Sequence, residues 1–411
     1  MKHRKEKTVG KDWTMEDEVK PVTIALAGIS GYGGVYMDFF QSGVVGPQEG
    51  SLIAVADPYA AASPHYEYVQ QQKIPIYDTL TELLQRHTPQ LVVLATPTPL
   101  HQQQCIEALS AGCEVLCEKP LVPLMEDIAP LEASMESSGH RIGVGFQWSF
   151  SNVILALKRD ILAGRYGRLR RMKAMVSFPR GNTYYASSTW KGRIRDAAGH
   201  VVMDSIVTNA ASHYLHNLFF LRGEELGKAQ EPESVEAELY RAKAIETFDT
   251  CFLKGRFSDG SEYLYMASHA TTTADNPKLM LEFDRGTASL NVGRQDDCLR
   301  VTAEDGSVHE YGNPFKREEE GQKLKTMIQW IKGETAVIPC TVPTIFPHLK
   351  VCNGLFSQAT VTNFPASYLE ETERGLFAPA LYQQMEDCFH SFALPWEAGL
   401  PWSTGKVEIK L

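Results

Sequence analysis

The first apolar run of the chain, Val22 to Ala27, leads into a turn that reads Gly28-Ile29-Ser30-Gly31-Tyr32-Gly33-Gly34. A strand, a tight turn and a helix in this order bring unpaired backbone N–H groups to a phosphate. Glycine suits the turn because a Cβ atom would obstruct the tight bend, the approach to the phosphate and the packing of the helix. The middle position of a strict Gly-x-Gly-x-x-Gly pattern is Ser30, so a purely structural turn is the alternative. The stretch predicts a dinucleotide-binding loop.

Strand and helix patterns alternate after this turn, with apolar strands at Leu52 to Ala56, Leu91 to Ala95 and Glu114 to Cys117. Such alternation is typical of a parallel sheet that helices cover on both faces. Beyond about residue 150 strands dominate, and turns at 258–260 and 284–286 predict two hairpins. We therefore predict an α/β architecture followed by an α+β one. The first is a doubly wound Rossmann sheet, and the second is a large, mostly antiparallel, open-faced sheet.

These patterns divide the chain of 411 residues into three parts. Residues 1–20 form a charged tail without the apolar segment of a secretory signal. Residues 21–148 form the dinucleotide-binding Rossmann domain, and residues 149–411 form an α+β domain for substrate binding and oligomerisation. An open sheet face in the second domain suits a homodimer or a homotetramer.

Composition excludes several classes of partner. The net charge of −10 argues against a nucleic-acid-binding surface. No apolar stretch is long enough to cross a bilayer. The eight cysteines contain no Cys-x-x-Cys pair, which favours buried free thiols in a reducing cytoplasm over a disulfide framework.

Two further segments belong to the predicted cofactor site. Asp57 ends the second strand, where a carboxylate binds the adenosine ribose hydroxyls and repels a 2′-phosphate. NAD is therefore favoured over NADP, although Asp57 also suits a turn before Pro58. The rigid turn of residues 95–101, which contains Thr96, Pro97 and His101, follows another strand at the edge where cofactors bind in such sheets.

The tripeptide Glu118-Lys119-Pro120 ends the strand Glu114 to Cys117 and brings an ionisable lysine to the same edge. Together with the glycine turn, Ala56-Asp57-Pro58, the segment 95–101 and Val144-Gly145-Phe146-Gln147, it resembles the glucose–fructose oxidoreductase / inositol dehydrogenase / rhizopine catabolism (Gfo/Idh/MocA) family. The motifs occur in the order and spacing of that family over roughly residues 20 to 225. Glu-Lys-Pro is the most specific of them.

The resemblance implies a role for each motif. In the family the Glu-Lys-Pro lysine lies beside the nicotinamide, so Lys119 would bind the substrate hydroxyl and relay its proton. The bond before the proline is often cis in the family. The implied cofactor-binding residues are Gly28, Ser30, Gly31, Tyr32, Gly33, Asp57, Thr96, Pro97, His101, Glu118, Lys119 and Gln147.

A second family motif, Asp-x-x-x-His-x-x-Asp on a helix, has its best match at residues 209–216, with Gly223 at the expected helix end. His213 is then the implied acid/base partner. Asn209 and His216 stand where the family has acids, and Asp204 is a nearby carboxylate that could replace some of their polar function. His213 and His216 share a helix face, but no third ligand has a suitable spacing, so no metal site is predicted.

The segment from Tyr184 to Arg193 combines aromatic rings, hydroxyls and a guanidinium, which suits a sugar or a cyclitol. A loop that only packs on the sheet is the alternative. We expect some of Tyr185, Trp190 and Arg193 to reach the substrate, together with Asn209 and Asp204.

These residues predict an NAD(P)-dependent oxidoreductase that moves a hydride between nicotinamide and a secondary hydroxyl or ketone of a sugar, sugar acid or inositol-like polyol. Lys119 and His213 would transfer the proton. Some members of the family are glycosidases that retain NAD, and the same residues would serve them. A nucleotide-dependent sensor without catalysis is a third interpretation, because a fold does not determine a function.

Overall fold

The computed structural model describes residues 20–411, so the predicted charged tail lies outside the described residues except for Lys20. The helices are α1 (Gly33–Gln41), α2 (Tyr66–Gln71), α3 (Leu80–Arg86), α4 (Thr98–Ser110), α5 (Ile128–Ser138), α6 (Gln147–Phe150), α7 (Asn152–Leu162), α8 (Asn182–Ala186), α9 (Ser212–Arg222), α10 (Arg317–Ile331), α11 (Phe346–Gln358) and α12 (Leu381–Ser391).

The strands fall into two main sheets and one short hairpin. They are β1 (Val22–Ala27), β2 (Gly50–Ala56), β3 (Ile76–Tyr77), β4 (Leu91–Leu94), β5 (Glu114–Cys117), β6 (Ile142–Val144), β7 (Leu169–Ser177), β8 (Ser234–Arg241), β9 (Thr250–Arg256), β10 (Glu262–Ser268), β11 (Asp275–Phe283), β12 (Gly286–Leu290), β13 (Leu299–Ala303), β14 (Val308–Gly312), β15 (Val361–Asn363), β16 (Glu370–Thr372), β17 (Gly375–Phe377) and β18 (Val407–Ile409).

The first sheet has six parallel strands in the order β3-β2-β1-β4-β5-β6. This is the doubly wound Rossmann order, in which the cofactor crevice lies at the carboxyl ends of the strands. Its strands are almost wholly apolar and buried, as a sheet covered on both faces requires. The Rossmann prediction is confirmed.

The second sheet has ten strands in the order β14-β13-β12-β11-β7-β10-β9-β8-β15, with β18 paired to β8. Both predicted hairpins are present, as β9–β10 and β11–β12. The pairs β7–β10 and β8–β15 are parallel and the rest are antiparallel, so the mostly antiparallel sheet is also confirmed.

Each face of the second sheet is covered. One face packs on helices α7, α9 and α11. The other face packs on residues 364–402, here called the C-terminal segment. The sequence predicted that this face would be open. The chain itself instead buries the apolar side chains of this face, and the homodimer or homotetramer stays a prediction.

Helix α10 joins the two halves. It follows the last hairpin of the second sheet, yet its Leu324, Met327 and Ile328 belong to the core of the first sheet. Helix α10 thus belongs to the second half by its place in the chain but packs on the first half. The domain boundary at residue 148 stays a prediction.

Candidate active site

A cleft of about 810 Å³ opens at the carboxyl ends of the parallel strands. This volume is within the range of small-molecule and cofactor sites. The predicted site residues that line it are Gly28, Ser30, Gly31, Tyr32, Asp57, Thr96, Pro97, His101, Glu118, Lys119, Trp190, Asp204 and Asn209. The cleft thus brings the predicted cofactor residues together with residues of the second half.

The glycine turn is as tight as its sequence predicts. Gly28 has φ +82°, and a Cβ atom there would lie 2.8 Å from the carbonyl oxygen of Ala95. A Cβ atom on Gly33, the first residue of α1, would lie 2.1 Å from the carbonyl oxygen of Gly28. At Gly31, by contrast, a Cβ atom would meet nothing within 4 Å. Gly28 and Gly33 therefore hold the turn together, while Gly31 leaves room along the cleft for a phosphate.

The Asp57 carboxylate lines the cleft and also holds the glycine turn. One of its oxygens accepts a hydrogen bond from the backbone N–H of Ile29 (2.9 Å), and the other accepts from the N–H of Tyr59 (2.8 Å). Asp57 therefore stabilises the turn before Pro58, which the sequence analysis gave as its alternative role. Ribose binding by the same carboxylate stays a prediction.

His101 connects the turns after β4 and β5. Its Nδ1 lies 2.8 Å from the carbonyl oxygen of Pro120, and its Nε2 lies 2.8 Å from that of Thr96. Burial lowers the pKa of the imidazole. His101 thereby sets the distance between the two turns that border the cleft. The Lys119–Pro120 bond is cis.

Lys119 meets the second half of the chain at Asn209. Its Nζ donates to the backbone oxygen of Asn209 (2.9 Å) and lies 3.3 Å from the side-chain Oδ1. Burial lowers the pKa of Lys119, whereas the charges of Glu118 and Asp204 act in the opposite direction. Burial of this kind favours the neutral amine, which can accept a proton.

Asp204 supplies a carboxylate next to Asn209, where the family motif would have its own acid. Asn209 Nδ2 donates to one Asp204 oxygen (2.9 Å), and the N–H of Gly192 donates to the other (2.7 Å). Burial raises the pKa of Asp204 to about 6. Asn209 itself lies in the turn before α9, which begins at Ser212, so its expected place on the helix is wrong. Gly223 ends that helix as predicted.

The two histidines of α9 have different surroundings. His216 is buried, stacks on Phe146 with 4.1 Å between the ring centroids, and has its Nε2 3.0 Å from Ser149 Oγ. His213 packs edge-on against Phe146, and its buried Nδ1 has no hydrogen-bond partner. Burial, followed by the charge of Lys119, holds the pKa of His213 well below its usual value.

The five remaining predicted site residues do not line the cleft. Gln147 opens α6, and its Oε1 is 2.8 Å from the Tyr32 hydroxyl. The Tyr185 hydroxyl is 2.8 Å from Nδ1 of His269. Arg193 is largely exposed and lies 3.9 Å from Glu246, while Gly33 and His213 also fall outside the lining. Of the three side chains expected around a sugar, Trp190 is the one that reaches the cleft.

Sequence reasoning missed Lys323 of α10. Its side chain is fully buried, and its Nζ donates to Glu118 Oε1 (2.5 Å) and to the Tyr32 hydroxyl (3.0 Å). The Tyr36 hydroxyl donates to the same Glu118 oxygen (2.6 Å). No local pattern could reveal this pair, because Lys323 and Glu118 lie far apart in the chain.

Within the described part of the chain, no cluster of three or more His, Cys, Asp or Glu side chains could hold a metal ion. No helix among residues 20–411 has the length and apolar character needed to cross a membrane. The eight cysteines are free thiols.

The six-stranded sheet, the glycine turn and the cleft define a dinucleotide-binding Rossmann protein with a second α+β half. Residues 23–146 match the family model described as "Oxidoreductase family, NAD-binding Rossmann fold" (GFO_IDH_MocA). The match makes residues 23–146 similar to the NAD-binding domain of this Gfo/Idh/MocA family.

Two curated proteins are similar in sequence to part of the chain. A 1-carboxy-3-chloro-3,4-dihydroxycyclo hexa-1,5-diene dehydrogenase of Comamonas testosteroni is 25% identical over 52% of this chain and 44% of its own length. Inositol 2-dehydrogenase 4 of Saccharopolyspora erythraea is 32% identical over 29% of this chain and 35% of its own length. The matched part thus spans less than half of these relatives.

Solved structures match more of the fold. The WlbA dehydrogenase of Bordetella pertussis, in complex with NADH and UDP-GlcNAcA, aligns with a TM-score of 0.64 at 20% identity. The alignment covers 82% of this chain and 96% of that one. At this identity the likeness concerns the fold alone.

Proposed function

We propose that the protein is an NAD-dependent dehydrogenase that oxidises a secondary alcohol of a sugar, sugar acid or inositol-like polyol. The observation that carries the proposal is the position of Lys119 Nζ, which lies in the cofactor cleft and is bonded to Asn209 of the second half. This places an ionisable amine where the cleft of the parallel sheet meets the predicted substrate residues.

The cleft fits the cofactor on structural grounds. The space beside Gly31 is free, and the Asp57 carboxylate is at the end of β2, where it would face an adenosine ribose. The same negative charge disfavours the 2′-phosphate of NADP. When bound, the nicotinamide accepts the hydride of the substrate.

Lys119 would take the proton of the substrate hydroxyl. In its amine form, which burial favours, Nζ accepts the proton and becomes an ammonium group. Two Asn209 oxygens already contact Nζ, and the nearby Asp204 carboxylate offsets the new positive charge. Asp204 thereby compensates in this chain for the acid that Asn209 replaces.

His213 is the second candidate for proton transfer. Its low pKa keeps the imidazole neutral, and its unpartnered Nδ1 leaves one ring nitrogen without a hydrogen bond in the protein. A neutral imidazole can bind a substrate hydroxyl as donor or acceptor. Trp190, which lines the cleft, offers an apolar face for a sugar ring.

Absorbance of reduced nicotinamide during turnover, with NAD and NADP measured separately over inositols, aldoses and sugar acids, tests this proposal. We expect reduction of NAD by one substrate class. Replacement of Lys119 by Ala should lower kcat by about 10² to 10⁴, the usual contribution of a general base. Lys228→Ala, at a surface lysine paired with Glu225, is the matched control and should keep its activity.

A second readout separates cofactor binding from chemistry. At about 100 Kd, NAD should stabilise wild type and Lys119→Ala alike by about 2.7 kcal/mol in thermal unfolding, and NADP should stabilise them less. Activity that survives Lys119→Ala would contradict the role of Lys119. NAD that is retained through purification without net reduction by any substrate would instead support the glycosidase interpretation.

A further inference from the structure

The strands at the centre of the second sheet bury side chains on both faces. In β10, Tyr263, Tyr265 and Ala267 pack in the core that includes helices α7, α9 and α11, while Leu264 and Met266 pack on the opposite side. Strand β9 alternates in the same way around Phe252. This second face is therefore as apolar as an interior, and an uncovered apolar face of this kind marks an interaction surface.

The C-terminal segment provides the cover. Leu381, Met385 and Cys388 recur on one side of α12 and are fully buried against the sheet. Phe364 lies at the start of the segment and Trp402 at its end, and both pack in the same core. The cover therefore runs the length of the segment and does not depend on α12 alone.

Charged groups of the sheet also find their partners in this segment. Glu238 is 2% exposed, and one of its oxygens accepts from the N–H of Trp396 (2.9 Å). Lys254 pairs with Glu397 (2.8 Å), and Lys278 pairs with Glu386. Polar groups on an interaction surface awaiting another chain would remain solvated, whereas these are already satisfied within the chain.

We infer that the C-terminal segment occupies, within one chain, the surface on which a second copy would otherwise pack, so that the protein does not self-associate through this sheet face. The inference does not depend on the proposed enzymatic activity, because it concerns the face of the second sheet opposite α9. A homodimer or homotetramer would have to use another surface.

Zero-length cross-linking tests whether the cover belongs to the same chain. A carbodiimide joins contacting amines and carboxylates, so it should join Lys254 to Glu397. In an equal mixture of ¹⁴N- and ¹⁵N-labelled full-length protein, mass spectrometry should find this cross-link only within chains of one label. Absence of the cross-link, or its appearance between labels, would overturn the inference.

Sedimentation of full-length variants tests the consequence. Leu381→Asp/Met385→Asp places charges under α12 and should loosen the cover, so its self-association should exceed that of wild type at least tenfold in association constant, about 1.4 kcal/mol. Gln383→Asp, on the exposed side of the same helix, should match wild type. A double variant that is folded by circular dichroism and associates no more than wild type would contradict the inference. If the double variant does not fold, the cross-link decides.

Discussion

Asp204 shows how single residues adapt the site. The family motif has an acid where this chain has Asn209, and Asn209 Nδ2 donates to Asp204, which comes from five residues earlier in the chain. The Asn209 amide holds the Asp204 side chain in place by this hydrogen bond, and the Asp204 carboxylate supplies the negative charge. Because Asp204 is buried, its proton affinity should be visible in the stability of the whole protein.

The pKa of Asp204 in the folded protein is about 6, above the ordinary value of 3.8. Between about pH 4 and 6 the folded state therefore binds the Asp204 proton more tightly than the unfolded state does. Its contribution to stability is greatest below that window and falls as the pH rises through it, by about 3 kcal/mol in total. Urea unfolding at several pH values should show that Asp204→Asn removes this decrease.

Asp387→Asn, at an exposed residue of α12, is the matched control and should keep the decrease seen in wild type. The activity of wild type should rise through about pH 6 as Asp204 ionises, and the variant should lack that rise. A variant with the same pH dependence of stability as wild type would contradict the assignment of the buried proton to Asp204.

At the scale of elements, the glycine turn depends on two close approaches between backbone atoms. They join the end of β1 to the turn after β4 and to the start of α1. A Cβ atom at Gly33 would meet a backbone oxygen, which cannot move without shifting the whole turn. The geometry that binds a phosphate and the geometry that packs α1 are thus the same.

Gly33→Ala should abolish stabilisation by NAD and lower the free energy of unfolding by about 1 to 3 kcal/mol, the usual cost of overpacking. Gly43→Ala, just beyond the end of α1 and outside the cleft lining, is the matched control: its Cβ atom would meet nothing within 4 Å, its φ of +74° costs about 1 to 2 kcal/mol, and it should keep the stabilisation by NAD. Thermal unfolding with and without NAD measures both effects. Equal NAD responses in the two variants would show that the contact at Gly33 does not control the turn.

The two halves of the molecule meet through α10. This helix packs on the first sheet with its apolar side chains and places the Lys323 ammonium group against Glu118, next to Lys119. Both charges are buried, so each depends on the other for compensation. The position of the Glu-Lys-Pro turn is therefore coupled to the packing of a helix from the other half.

Lys323→Met should lower the free energy of unfolding by about 3 to 5 kcal/mol, because it leaves Glu118 buried and unpaired. The double variant Lys323→Met/Glu118→Gln should lose less than the single one, since neither charge then remains. Urea unfolding of both, with Lys228→Met as an exposed ion-pair control that should change by at most about 1 kcal/mol, measures the coupling. A single variant as stable as wild type would show that the pair contributes nothing.

Local patterns in the sequence were sufficient for the first half. The strand–turn–helix spacing, the acid after β2 and the Glu-Lys-Pro turn all lie at the ends of parallel strands, so a correct strand assignment already brings them to one edge. The cap of α3 is equally local: the Thr79 side chain accepts a hydrogen bond from the backbone N–H of Glu82, three residues later. In the second half, the hairpins followed from their turns.

What the sequence by itself determined was thus the alternation of strands and helices in the Rossmann part, the glycine turn, the place of Lys119 at a strand end and the antiparallel hairpins, because each depends on residues near one another in the chain. Only the tertiary structure decided that Lys323 compensates Glu118 and that the C-terminal segment covers the second sheet. The physical reason is that a buried charge or an apolar face needs a partner, but nothing local specifies which distant segment provides it.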